Sequence, residues 1–251
     1  MLIKQKTPPD LLLEAIKDYI EDEAKKEKPR GYIGASSIGS ECELKLWLQY
    51  KYPHLSRERG AKLILAANDG HRSEDLMAGL IRQVEGVDLI THDANGKQLG
   101  FSDLNGLYCG HWDGLITGIP CAPKTRHVWE HKSKNQKFYD KLTKLKDEVD
   151  EKEVLKEWDY IYYCQAVVYM EYSGCTRHYT TVALAGTRDF QSIRTNANPE
   201  LAKQLREKAA RIINYPVAPI GISTNPSWFA CKHLCDFIEN CPSINKNIKL
   251  T

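Results

Sequence analysis

Asp113 and, after sixteen intervening residues, Glu130-His131-Lys132 set two acids and an amine on what read as neighbouring strands. Residues 107–116 (Leu-Tyr-Cys-Gly-His-Trp-Asp-Gly-Leu-Ile) and 126–132 (Arg-His-Val-Trp-Glu-His-Lys) are rich in aromatic and β-branched residues, with Gly and Pro between the two runs. Side chains alternate faces along a strand, so Glu130 and Lys132 point one way and His131 the other. Two carboxylates and one lysine then converge. Hard oxygen ligands of this kind bind Mg²⁺ or Mn²⁺, and water held by such an ion becomes a nucleophile able to attack phosphorus. A lysine beside them orients that water or offsets the charge growing on the phosphate. The same acid-x-Lys pattern also suits an edge strand with one solvated face, so the surrounding elements have to decide.

Apolar residues at helical spacing (Leu12, Leu13, Ile16, Tyr19, Ile20) predict an amphipathic helix from Pro8 to Lys26, closed by a charge run and by Pro29 and Gly31. A serine-rich start over 35–42 leads into a second helix, Leu44 to Tyr50, and a longer one follows from Arg59 to Ile81. Val87 to Phe101 suits one or two strands. Phe138 to Trp158 is highly charged with a sparse apolar stripe (Leu142, Leu145, Val149, Val154, Leu155) and reads as a solvated helical excursion, with a lysine-bearing flap over DNA as the rival. Asp159 to Tyr172 is a helix with Gln165 and Tyr169 on one face. A strand over Arg177 to Leu184 and a helix from Pro199 to Ile213, with proline in its first turn, complete the core. Helices, several strands, then helix, strand and helix predict an α/β fold with a mixed central sheet flanked by helices.

At 251 residues, 42% hydrophobic and 27% charged, the chain has the make-up of a soluble globular protein able to bury a real core. No apolar run approaches the length of a membrane span, and Met1 to Asp10 lacks a signal-peptide core, so no membrane role and an intracellular, cytoplasmic location are expected. A net charge of +2 is too small to announce a nucleic-acid binder; any phosphate-binding surface has to be a local cluster. In such a compartment the eight cysteines read as core thiols or metal ligands rather than disulfides. Cys109, Cys121, Cys164 and Cys175 lie singly in or beside apolar segments. Cys231, Cys235 and Cys241 crowd into eleven residues.

These segments resemble, in order, a RecB-type nuclease of the PD-(D/E)XK superfamily, in particular the iron–sulfur exonucleases of CRISPR-associated and phage-encoded type. Cys42 with Leu44-Lys45-Leu46-Trp47 is similar to the family's first cluster cysteine and the helix after it, and Gly70-His71 to its glycine–histidine pair. Gly110-His111-Trp112-Asp113-Gly114 resembles the aspartate motif, Trp129-Glu130-His131-Lys132 the acid-x-lysine motif, and Gln165 with Tyr169 the Gln-x-x-x-Tyr motif. The resemblance implies a restriction-endonuclease-like core in which Asp113, Glu130 and Lys132 are catalytic. It places a Mn²⁺ or Mg²⁺ on His71, Asp113, Glu130 and the backbone carbonyl of His131, with Gln165 and Tyr169 toward the DNA. The implied domains are 1–30, an N-terminal helix and linker; 31–58, a helical segment with the first cluster cysteine; 59–215, the nuclease core; and 216–251, the C-terminal cysteine segment.

The same resemblance implies a 4Fe-4S cluster on Cys42, Cys231, Cys235 and Cys241, stapling the two ends of the chain across the core, since such a cluster takes four thiolates. Here three residues separate Cys231 from Cys235 where relatives usually have two, and His233 offers an imidazole between them. Zinc on these cysteines, with or without His233, is therefore the alternative. Trp228, Phe229 and Phe237 are expected to form an apolar shell.

The implied function is a metal-dependent deoxyribonuclease, an exonuclease on single-stranded DNA or ends that hydrolyses phosphodiesters by metal-activated water. The rival is a DNA-binding or processing subunit of a CRISPR adaptation or phage recombination complex, with little activity alone. The cluster assignment predicts a brown protein that absorbs near the blue end of the spectrum and contains iron and sulfide. A colourless protein carrying zinc marks the alternative, and a colourless one lacking iron after purification without oxygen refutes the cluster.

Overall fold

The computed structural model describes residues 10–187, 189–248 and 250. In chain order the elements are α1 (Leu11–Lys25), β1 (Ile33–Gly34), α2 (Glu43–Lys51), α3 (Ala61–Ile81), β2 (Asp88–Ile90), β3 (Gly100–Asp103), β4 (Tyr108–His111), β5 (Gly114–Thr117) and β6 (His127–Lys134). Then follow α4 (Gln136–Glu148), α5 (Glu151–Trp158), α6 (Tyr160–Ser173), β7 (Arg177–Leu184), β8 (Phe190–Asn196), α7 (Pro199–Asn214) and α8 (Phe229–Leu234), with short 3₁₀ turns between some of them. The strands form a five-stranded mixed sheet, β2-β5-β6-β7-β8, with β6 and β7 parallel, and a three-stranded one, β1-β4-β3. The fold is α/β, with mixed sheets flanked by helices. No helix among the described residues is long and apolar enough to cross a membrane.

The period-2 pattern of β6 divides the core. Trp129 faces α3 in a cluster with Met77, Ala78, Leu89, Ile116 and Ile119. Val128 faces the other way, into the larger core built by α2 and α4 to α7. Local chemistry sets the helix ends. Asp159 caps α6 by accepting from the N–H groups of Ile161 and Tyr162, and Gly174 ends that helix at φ 71°, a conformation open to glycine at little cost. α1 begins at Leu11 behind the cap Asp10; Pro8 and Pro9, where the sequence pattern starts this helix, lie outside the described residues.

The structure departs from the sequence pattern in four places. The run 107–116 is two strands: β4 belongs to the small sheet and β5 to the large one, with the chain crossing over at Trp112-Asp113. Glycines flank the crossing because there is no room for a side chain. A Cβ on Gly110 would sit 2.6 Å from the Tyr169 ring, and one on Gly114 2.8 Å from Leu89. The charged stretch 138–158 is no solvated excursion. It forms α4 and α5, and Leu142, Val154, Leu155 and Trp158 are all buried in the main core while the lysines face outward. β8 has no strong alternation of its own and is recruited as an edge by seven cross-strand pairs to β7. Cys121 is exposed rather than core.

Leu155→Ala is therefore expected to lower stability by about 2–5 kcal/mol, as for other buried leucines, while Lys156→Ala on the outer face leaves the urea midpoint in place. Equal effects of the two substitutions would contradict the packing of α5.

Candidate active site

Asp113 stands at the corner where the chain passes from β4 to β5, opposite Glu130 on β6. The continuation of the antiparallel register from the Gly114–Trp129 pair brings them together. The two acids brace one another's strands: Asp113 Oδ2 accepts the His131 N–H at 2.7 Å, and Glu130 Oε1 accepts the Asp113 N–H at 3.3 Å. Lys132 Nζ donates to Glu130 Oε2 at 2.6 Å and lies 5.1 Å from the centre of the Tyr162 ring on α6. Glu130 is buried at 2% exposure, so the lysine and the main chain are its surroundings in place of water.

Burial raises the proton affinity of Glu130, and the charge of Asp113 raises it further. Burial raises Asp113 as well, against the pull of Lys132. For Lys132, burial alone would favour loss of the proton, but Glu130 and Asp113 outweigh it and hold the amine above its ordinary value. The site thus keeps a fixed ammonium beside two carboxylates that lack a second positive charge.

His131 turns to the opposite face, as alternation requires. Its Nε2 lies 2.8 Å from Ser73 Oγ on α3, and its Nδ1 lies 2.9 Å from Thr181 Oγ1, which also accepts from Trp129 Nε1 at 3.0 Å. The imidazole thereby ties α3 to the sheet. His71, on the same helix, is exposed, with Nδ1 3.9 Å from Glu74 Oε2. It lines the cavity with the acids but does not join them in a common cage. Among the described residues no three His, Cys, Asp or Glu side chains close around a metal position.

Gln165 and Tyr169 are buried beneath the acids, with Gln165 Nε2 donating to Tyr169 Oη at 3.1 Å. Asp113, Glu130, Lys132, His71, Gln165 and Tyr169 all line one cavity of about 900 Å³. Glu74 in its wall was not singled out by the sequence patterns, although its i,i+3 spacing from His71 puts both on one helix face. Burial and the charge of Asp113 raise Glu74 to about 7.

At the other end of the molecule, the segment after α7 packs against α2 and the residues after it. Lys45 Nζ donates to the Leu234 carbonyl at 2.6 Å, the Arg57 N–H to that of Asp236 at 2.7 Å, and Asn240 Nδ2 to that of Leu55 at 2.8 Å. Cys42 caps α2, its Sγ accepting from the Lys45 N–H at 3.4 Å. Burial raises Cys231 and Cys235, and the thiols of Cys42 and Cys241 add to it at each, so the four lie near one another without closing around a metal position. Polar contacts and the buried Phe237 join the ends in this structure. The expected apolar shell is only partly formed: Phe237 is buried, but Trp228 and Phe229 are exposed, and exposed His233 leans on Phe229 at 5.2 Å between ring centres.

No protein-family model matches the chain, and no curated protein matches it. The arrangement of helices and sheets is shared with solved structures. An alkaline exonuclease (LHK-Exo) from Laribacter hongkongensis superposes with a TM-score of 0.50 at 13% identity, covering 78% of this chain and 90% of that one. The same exonuclease in complex with dAMP gives 0.47 at 12% identity over 73% and 86%, and a protein described as SSO0001 gives 0.45 at 13% over 96% and 98%. At such identities the likeness is one of fold, and the fold is that of the alkaline exonuclease.

Glu74 carries a pH signature. A carboxyl raised from 4.5 to about 7 in the fold binds more protons folded than unfolded, so stability falls as pH rises through that window. Glu74→Gln removes this part of the fall. In chelator-treated protein the variant is expected to exceed the parent by about 1 kcal/mol at pH 8, after discounting for solvent screening of a partly exposed group, and to match it at pH 4.5. Urea melts at the two pH values measure this; an equal gain at both would refute it.

Proposed function

We propose that this chain is a metal-dependent deoxyribonuclease that acts as an exonuclease on single-stranded DNA or strand ends. The observation that carries the reading is the convergence of Asp113, Glu130 and Lys132 at the strand crossing of a fold shared with an alkaline exonuclease.

The donor set suits a hard divalent cation. Two carboxylates with raised proton affinity, facing one fixed ammonium, are relieved by a second positive charge. Asp113 and Glu130 would hold Mg²⁺ or Mn²⁺, with the His131 carbonyl completing the set and His71 or Glu74 reaching in from α3. Such an ion supplies Lewis acidity toward the phosphate and water. The protein's own residues do the rest. Lys132 keeps its proton and lies where negative charge grows on the phosphate, held in place by Glu130 and the face of Tyr162. Gln165 and Tyr169 form the floor under the strand.

For the cysteine neighbourhood, the reading is a 4Fe-4S cluster on Cys42, Cys231, Cys235 and Cys241, with zinc as the rival. Four thiols are a soft donor set that suits either, and in this structure they do not close around a metal position.

With Mn²⁺ or Mg²⁺ the purified protein is expected to degrade an end-labelled single strand. Glu130→Gln and Lys132→Gln should each lower the rate about 100-fold or more while the oligonucleotide still binds. Intact DNA under conditions in which a known nuclease digests it would sink the assignment.

A further inference from the structure

The cavity at Asp113 does not end at the site. A second groove of about 580 Å³, between the end of α1, residues 53–59 and Phe237, shares Arg30, Tyr32, Gly34 and Ser36 with the first, so the two hollows adjoin. The shared floor is β1 and its flanks. The Ile33 N–H donates to the Leu107 carbonyl and the Ala35 N–H to that of Cys109, both at 2.9 Å, locking this short strand against β4. Ile33 and Ala35 are buried at 2% and 0%, so alternation turns Tyr32, Gly34 and Ser36 into the groove. β4 then runs on to Asp113. The floor is thus paired to the strand that leads into the site.

The charges along this depression are sorted. Each acid of the second groove is engaged: Glu21 accepts the Ala61 N–H, Glu27 pairs with Arg59, Glu58 with Lys25, and Asp236 with Arg57. Lys28 and Arg30 are exposed and have no carboxylate within ion-pair distance among the described residues. After burial, Lys97 and Arg30 push the proton affinity of His111, in the wall of the first hollow, down. Tyr32, half-buried, makes no ring contact with another aromatic residue among those described. Unpaired cations along a groove that Tyr32 also lines match a chain of phosphates with stackable bases.

Resting on the nuclease reading of the site, we propose that the depression running from Asp113 through the Arg30–Tyr32–Ser36 neck to Lys28 is the track of the single strand. Arg30 and Lys28 hold its phosphates and Tyr32 stacks one base. An acidic peptide would also answer the cations, but it would not use the aromatic face.

Anisotropy of fluorescein-labelled oligothymidylates of four and twelve nucleotides, read with cleavage of the same strands, tests this. The twelve-mer is expected to bind at least tenfold tighter than the four-mer. Tyr32→Ala should reduce that ratio about tenfold. Arg30→Ala and Lys28→Ala should each flatten the dependence of log K on log salt for the twelve-mer by about 0.7, with Arg30→Lys restoring the slope. Lys203→Ala on α7, away from both hollows, is the charge control and should change nothing. Equal affinity for the two lengths, or slopes unmoved by the Arg30 and Lys28 substitutions, overturns the track. Cleavage with length-independent binding defeats the track and leaves the nuclease reading. Length-dependent binding without cleavage does the reverse.

Discussion

The buried pair of Glu130 and Lys132 on β6 is the constraint around which the rest of this molecule is arranged. Removing two charges from water costs several kcal/mol per ion, and an apolar pair of similar volume would avoid that cost. The pair is tolerated because every direction is answered. One oxygen of Glu130 takes the ammonium, the other takes the Asp113 N–H, and Asp113 in turn takes the His131 N–H. These bonds can form only if β5 and β6 keep their antiparallel register. A slip by one residue would turn Glu130 and Lys132 toward α3 and Trp129 toward α6. The charge pair therefore constrains the sheet as much as the sheet positions the pair, and its retention in place of a greasy core speaks for use rather than stability.

From that strand the helices take their places on opposite faces. α3 leans on the side of Trp129 and His131, anchored by the Ser73–His131–Thr181 chain; α6 leans on the side of Lys132, with Tyr162 against its amine. The crossing at Trp112-Asp113 opens a gap between the two sheets, and the gap is the cavity. A strand that stayed in one sheet would spend the Asp113 backbone on ladder hydrogen bonds. By changing sheets there, the chain frees its N–H for Glu130 and places a carboxylate in the cavity wall. The small sheet has a second consequence. β1 comes from far upstream to pair with β4, bringing Arg30, Tyr32 and Ser36 to the edge of the same cavity.

Residues 45–57 and 234–240 meet beside that groove. Lys45, Arg57 and Asn240 use backbone carbonyls as their contacts across the join, and Phe237 supplies the apolar centre. Cys241 is buried with it, and Cys235 and Ile244 pack against the same core. A ligand common to the four thiols that gather there would stiffen the join and, with it, the wall of the groove formed by residues 53–59 and 236–237.

Much of the arrangement was legible from residue order. Helices α1 to α3, α6 and α7 and strands β6 and β7 follow from spacing and caps, because those signals act over a few residues. The facing of Glu130 with Lys132, and of His131 away from them, follows from strand alternation alone. Contacts between distant segments were not legible. Leu142, Val154 and Leu155 look like a thin stripe among lysines until β8 and α6 provide the surface they cover. Glu74 gains its raised proton affinity from burial and then from Asp113, 39 positions away, and His71, which a motif ties to the acids, stands exposed on the rim. Residue types and local periodicity determined which groups are available for chemistry and which way each points along its own element. Only the tertiary structure decided which of them meet, because register between strands and the docking of α3 depend on packing that no local segment contains.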